Sequence, residues 1–245
     1  MSEIMQIQPR QVFIRRHSVI TRITHWVNVA CLTVLLMSGL QIFNAHAALY
    51  WGDISSFEHP LAVIGRFPAW ATIPSYQDLG SGRLWHFFFA WIFVINGVLY
   101  LLASLVSSHL RHDLMPTLQE TRRIGHSLLE HVRLRFPKGD EARRYNVIQK
   151  LTYLAVIFGL LPLVISTGLC MSPRLDADFH WLPALFGGRQ SARTLHFAAA
   201  SGLVAFTLIH VVMVLVSGVW NNLRSMITGR YAIELESVDG ETTQR

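Results

Sequence analysis

Charge is what this chain has least of: Asp, Glu, Lys and Arg together make up 15% of its 245 residues, against roughly a quarter in ordinary soluble domains. That scarcity excludes a conventional water-soluble globule and points to a bilayer. Cysteine is nearly absent as well, with only Cys31 and Cys170. One lies early in the first apolar run and the other at the far end of the third, near opposite faces of an up-down bundle. No disulfide is expected, and both read as small packing residues. Internal repeats, low-complexity tracts and a second soluble domain are also missing. The net charge of +6 comes in basic blocks between apolar stretches, a pattern that does not call for nucleic acid as a partner.

Long hydrophobic runs are present in their place. Four segments, at about Ile23–Phe43, Leu84–Val106, Leu151–Met171 and Thr194–Trp220, contain no Asp, Glu, Lys or Arg. Each approaches or exceeds the roughly 20 apolar residues needed to cross a hydrocarbon core of about 30 Å. Helices buried in a soluble protein would carry charge on one face, and these do not. The first run follows Arg15, Arg16 and Arg22, but it is too long for the apolar core of a signal peptide and lacks a clear cleavage site, so it reads as a retained helix.

Basic residues orient the bundle, because they are retained on the cytoplasmic side. Of the 21 Lys and Arg residues, 16 fall in the N-terminal arm, the middle connection and the C-terminal tail, and five in the first and third connections. Both termini are therefore expected in the cytoplasm, in an all-α integral membrane protein with a four-helix up-down transmembrane bundle. Residues 1–232 are expected to form the membrane domain, and residues 233–245 a polar cytoplasmic tail that follows a short helix.

The first connection, Asn44 to Arg83, carries Trp51, Phe57, Phe67, Trp70 and Tyr76 among Pro60, Pro68 and Pro74. Its apolar stretch Leu61–Ile73 is too short to span, so the loop is expected along the outer interface, with aromatics as anchors or as a docking face. In the middle connection, Leu118, Ile124, Leu128, Leu129 and Val132 between arginines predict an amphipathic helix over Asp113–Arg135 at the anionic inner surface.

Eight of the 12 histidines fall in connections or at polar ends: His17, His46, His59, His109, His112, His126, His131 and His180. The other four, His25, His86, His196 and His210, sit inside apolar spans, where a titratable group is costly and faces a partner or cofactor. His196 and His210 are 14 residues apart, about 21 Å along a helix and within roughly 40° of the same direction. The topology then matches depths: His86 with His196 near the outer face, and His25 with His210 near the inner one.

Two imidazoles facing each other across a bundle core suit a six-coordinate haem iron. Zinc fits less well, since no carboxylate or thiolate joins either pair. Structural histidines bonded to carbonyls are a further alternative, although they need no matched depths. Arg22, Arg83, Arg189 and Arg193 flank the four histidines where carboxylates of such a cofactor would emerge. Gly39, Gly97, Gly168, Gly202 and Gly218 could make room for a flat macrocycle or simply allow tight helix packing.

Arg22-x-x-His25-Trp26, the run Gly82-Arg83-Leu84-Trp85-His86, the two histidines spaced by 14, and Tyr145-Asn146-x-x-Gln149-Lys150 together resemble the di-haem cytochrome b subunits of Ni/Fe-hydrogenase and formate dehydrogenase gamma. The resemblance covers about Arg15 to Met226 and is nearest the thiosulfate-reductase type. It implies an electron-transfer subunit of an oxidoreductase complex in the bacterial inner membrane, with two haem b groups and no catalytic residues of its own. It further implies a periplasmic, molybdopterin-dependent redox partner. A quinone site at the cytoplasmic-side haem is implied too, at Asn146 and Gln149 with Tyr145 and Lys150 adjacent. Amides and a phenol at a membrane boundary can hydrogen-bond a quinone carbonyl, though they also cap helices. Two other functions remain open from the sequence: a stand-alone quinol-oxidising cytochrome b acting on a small oxidant, and a non-redox membrane anchor or transporter.

Overall fold

The computed structural model describes residues 10–107, 115, 147–172, 175, 178–179 and 181–235. The amphipathic helix expected in the middle connection falls, apart from Met115, outside the described residues, as do His109, His112, His126, His131, His180, Tyr145 and Asn146.

Four helices are long and apolar enough to cross a membrane: α1 (Val19–Asn44), α2 (Leu79–Val106), α3 (Val147–Cys170) and α5 (Arg189–Val216). Between the last two lies the short α4 (Trp181–Leu185), and α6 (Val219–Thr228) follows α5. Each long helix begins four or five residues before its apolar run, because its first turn still carries a charged residue: Arg22, Arg83, Lys150 and Arg193. Ser18 accepts a hydrogen bond from the Thr21 amide at 3.1 Å. Asp78 accepts from the amides of Gly80 at 3.0 Å and Ser81 at 3.3 Å, filling donors that a helix start leaves unsatisfied. Gly188, with φ +108°, opens α5, and a Cβ there would lie 2.5 Å from the Gly52 backbone. At the other end Gly218, with φ +104°, breaks α5 from α6, which is why the fourth span stops at Val216 and not at Trp220. Within α3 a π-helical turn, Val156–Leu160, precedes Pro162. The widened turn accommodates a residue that lacks an N–H and whose ring crowds the preceding turn.

The Asp78 cap is pH-sensitive. The Ser81 hydroxyl and amide, with the Gly80 amide, hold its carboxyl below the usual carboxylate range. A depressed folded-state pKa contributes stability above the ordinary value and loses it as pH falls through the depressed one. Asp78→Ala should therefore lower the melting temperature of the detergent-solubilised protein at pH 7, and the gap from the parent should close below about pH 4.

Large apolar side chains such as Leu84, Phe88, Leu99, Val106, Leu208 and Val212 point outward along the helices. Water would not tolerate that surface, whereas lipid does, with all backbone groups satisfied inside the helices. Packing is closest within two pairs, α1 along α2 and α3 along α5. Cys31 and Cys170 are both buried thiols, and Cys170 donates to the Ser166 carbonyl at 3.2 Å.

The outer connection is ordered and clamped to the helix tops. Its strands β2 (Ala48–Leu49) and β3 (Ala62–Val63) pair antiparallel, so the stretch Leu61–Ile73 neither spans nor forms a long helix. Asn44 exchanges two hydrogen bonds with the Phe67 backbone, at 2.9 and 2.7 Å. The Gln41 amide donates to the Tyr76 carbonyl at 2.6 Å, and the Thr194 hydroxyl to the Tyr50 carbonyl at 2.6 Å.

At the cytoplasmic end the sequence reading needs a correction. The boundary expected at residue 232 falls inside a strand: β4 (Arg230–Leu235) pairs antiparallel with β1 (Arg10–Arg15), with Arg10 opposite Leu235 and Arg15 opposite Arg230. The strand runs past residue 232 and buries Ile233.

Candidate functional site

The four span histidines meet as two pairs in the gap between the helix pairs. His25 on α1 faces His210 on α5 with ring centroids 6.4 Å apart and planes at 56°. His86 on α2 faces His196 on α5 at 6.2 Å and 66°. These are the pairs that matched in depth in the sequence, and the helix directions place the second near the outer face.

Hydrogen bonds fix how the outer rings present themselves. His196 Nδ1 lies 2.9 Å from the Val164 carbonyl oxygen, which only accepts, so Nδ1 carries the proton. Its Nε2 lone pair is then left to face His86. His86 Nδ1 lies 3.1 Å from the Ser38 hydroxyl, whose own proton goes to the Val34 carbonyl at 2.6 Å. Ser38 is therefore the acceptor and His86 also keeps Nε2 unprotonated. Such a second bond, which fixes tautomer and ring angle, is the usual environment of a metal-ligating imidazole.

The separation is also diagnostic. A metal ion about 2 Å from each of two imidazole nitrogens sets the ring centroids roughly 6 Å apart, close to both observed values. Among the described residues, no group of three or more His, Cys, Asp or Glu side chains converges as a metal site. A tetrahedral zinc centre thus lacks ligands, while a macrocycle that supplies its own equatorial nitrogens needs only the two axial ones.

Two glycines seat the outer rings. A Cβ on Gly168 would lie 3.2 Å from His196 Cε1, and one on Gly39 would lie 3.4 Å from His86 Cε1. Each follows a hydroxyl residue near the same imidazole, Ser38-Gly39 on α1 and Thr167-Gly168 on α3, with Thr167 Oγ1 3.3 Å from His196 Nδ1. This repeated hydroxyl–glycine pair is the signal by which the supporting residues could have been found from sequence. Gly97 has open space beside it, and Gly202 packs against Leu160.

The inner pair is held differently. His25 Nδ1 is buried without a hydrogen-bond partner, and so is Nε of Arg22, one turn earlier on α1. Trp26 meets His25 edge-on at 5.3 Å and anchors to the Met226 carbonyl at 3.1 Å. Phe206 stacks on His210 at 5.9 Å and in turn meets Tyr153 of α3 at 6.4 Å. No sequence signal marked Phe206, since an aromatic four residues before a histidine is ordinary helix composition.

The remaining candidates are dispersed. Arg193 donates to the Ala48 carbonyl at 2.8 Å and to the His46 carbonyl, and its guanidinium lies over the Phe43 ring. Arg189 donates to the Met171 carbonyl at 3.2 Å. Arg83 lies 5.9 Å over the Phe87 ring. Gln149 and the buried Lys150 occupy the first turn of α3, at the inner end.

Comparison with known proteins agrees with this architecture. The prokaryotic cytochrome b561 family matches residues 16–229. A protein of Azospira oryzae, YedZ1, whose name is that of a subunit proposed for a protein-methionine-sulfoxide reductase, is 33% identical over 193 residues, covering 79% of this chain and 86% of that protein. Four apolar spans and a family match over almost the whole chain lead to one conclusion: this protein belongs to the prokaryotic cytochrome b561 family, as a multi-pass haem-b electron-transfer subunit of the bacterial inner membrane.

Proposed function

We propose that the chain carries electrons between the quinone pool and a periplasmic, molybdopterin-dependent reductase through two b haems. His25 and His210 hold the inner one, and His86 and His196 the outer one. The observation that carries this reading is the recurrence, at two depths, of an imidazole pair with centroids 6.4 and 6.2 Å apart.

When bound, haem b supplies a one-electron couple whose potential the surrounding protein tunes through ligation, burial and nearby charge. The chain's own residues do the rest. His86 and His196 donate hydrogen bonds from Nδ1 to the Ser38 hydroxyl and the Val164 carbonyl, which fixes their tautomer and leaves both Nε2 lone pairs available to the gap. The buried, unpaired Nε of Arg22 is a donor suited to a carboxylate beside the inner pair. At the outer end Arg83 lies on the helix that carries His86, and Arg189 and Arg193 on the one that carries His196, where Arg193 also ties the loop to the helix.

Quinol is assigned to the inner end, where Gln149 and Lys150 begin α3; their side chains, and those of Tyr145 and Asn146 just before them in sequence, are polar groups able to bond its oxygens. Its two-electron oxidation there would release two protons to the cytoplasmic side, and a haem held by His25 and His210 would supply the one-electron acceptor. The relative's name, that of a subunit of a methionine-sulfoxide reductase, supports a reductase as the partner, and on this reading quinol is the electron donor. Trp51, Phe57, Trp70 and Tyr76, exposed on the clamped outer loop, form the face on which that partner docks.

The test is anaerobic addition of a quinol analogue to the purified protein in nanodiscs, followed at the haem α-band. Reduction without added partner is expected. Bands that dithionite reduces and quinol does not would remove quinol from this reading.

Crowding the outer site gives a second check. Gly168→Leu pushes a side chain into the space of the His196 ring, so it should remove or distort the outer haem's low-spin band while sparing the inner one. Equal loss of both bands would argue against separate sites.

A further inference from the structure

Pairing of β1 with β4 brings arginines from the two ends of the chain to one place at the inner membrane face. Phe13, Arg15, Arg22, Thr228, Gly229 and Arg230 line a cleft of about 520 Å³. A neighbouring cleft shares Phe13, Thr228 and Arg230 and adds Arg224. No Asp or Glu is among the lining residues of either.

Guanidinium groups gathered without a carboxylate repel one another unless an anion sits among them. One of these has a donor withdrawn from water that the histidine site does not claim: Nε of Arg224 is buried and unpartnered. Leaving such donors unsatisfied is destabilising unless a ligand accepts their bonds. The backbone is shaped around the group as well. Gly229 has φ +82°, a conformation that favours glycine, and the Arg22 guanidinium packs against it, 2.6 Å from where a Cβ would lie. Arg15, Arg224 and Arg230 belong to elements that carry none of the paired histidines, and the electron-transfer site does not account for them.

We infer that this cleft is a seat for a phosphate-bearing anion, with the phosphodiester headgroup of an acidic inner-leaflet phospholipid as the source its surroundings favour. Arginine forks match phosphate oxygens in paired hydrogen bonds. The inner leaflet presents acidic headgroups at this depth. Phe13, 52% exposed at the cleft wall, offers an apolar surface to the lipid's glycerol and chain ends.

The experiment is native mass spectrometry of the haem-loaded protein released from nanodiscs that contain phosphatidylglycerol and phosphatidylcholine. One retained phosphatidylglycerol per chain is expected. R15Q/R230Q should weaken that retention about 30-fold, with haem content unchanged. R224Q, from the adjoining wall, should weaken it independently, which keeps the test valid if the double variant folds poorly. R66Q, on the outer loop, should have no effect. In a parallel arm, inorganic phosphate is titrated into lipid-free detergent and the melting temperature followed. Stabilisation by phosphate that the same variants abolish, without any preference among lipids, gives the seat to a free phosphate. Retention and phosphate stabilisation that are both unchanged in R15Q/R230Q and R224Q overturn the inference.

Discussion

His210→Ala should leave the purified protein with one haem in place of two and abolish its reduction by quinol. His210 faces His25 and is braced by Phe206 stacked on its ring. The alanine variant removes one axial nitrogen and leaves an apolar gap that no described side chain can fill with a ligand. Changing a residue that only supports a ligand typically weakens metal affinity by 10–100-fold, so losing the ligand itself should empty the site. Quinol enters the account at the inner end, and the surviving outer haem should then be reducible by dithionite but not by quinol. Exogenous imidazole should restore part of the missing band, a rescue that mere unfolding would not allow. A variant that keeps both haems would break the assignment of His210.

The converse result is expected of His196→Ala. His196 is held by the Val164 carbonyl and seated against Gly168, so its removal frees a buried carbonyl and takes away the outer haem. The inner haem should remain and should still accept electrons from quinol. Transfer onward to a periplasmic acceptor should fall to background, because the outer step is missing. His86→Ala should behave in the same way, and the two variants combined should be no worse than either alone, as is usual for residues that act as one unit. Loss of quinol reduction in His196→Ala with the inner haem intact would contradict the order of the two sites.

Much of this was legible in the sequence because the membrane imposes simple rules. Runs without charge mark the spans, arginine counts give the orientation, and the spacing of 14 between His196 and His210 places one imidazole at each depth on one helix. Helix ends were less legible, since Ser18, Asp78 and Gly188 act through capping geometry and not through hydropathy. The β1–β4 pair could not be seen: each strand has six residues, and the partners stand at opposite ends of the chain, so nothing local records their contact. Arginines were the most ambiguous. Arg193 was singled out for a cofactor carboxylate, yet its guanidinium also binds carbonyls of the outer loop, a partner set by the fold of residues 46–48. Ser38 and Thr167 went unmarked because hydroxyls that bond back to their own helix are common in membrane spans, and only the opposing ring gives them a further role.

The most direct test of the central claim is a reduced-minus-oxidised optical spectrum of the purified protein with haem quantified against protein concentration. The account predicts two protoporphyrin haems per chain, both low-spin with bis-histidine bands. One haem per chain, or none, would contradict it.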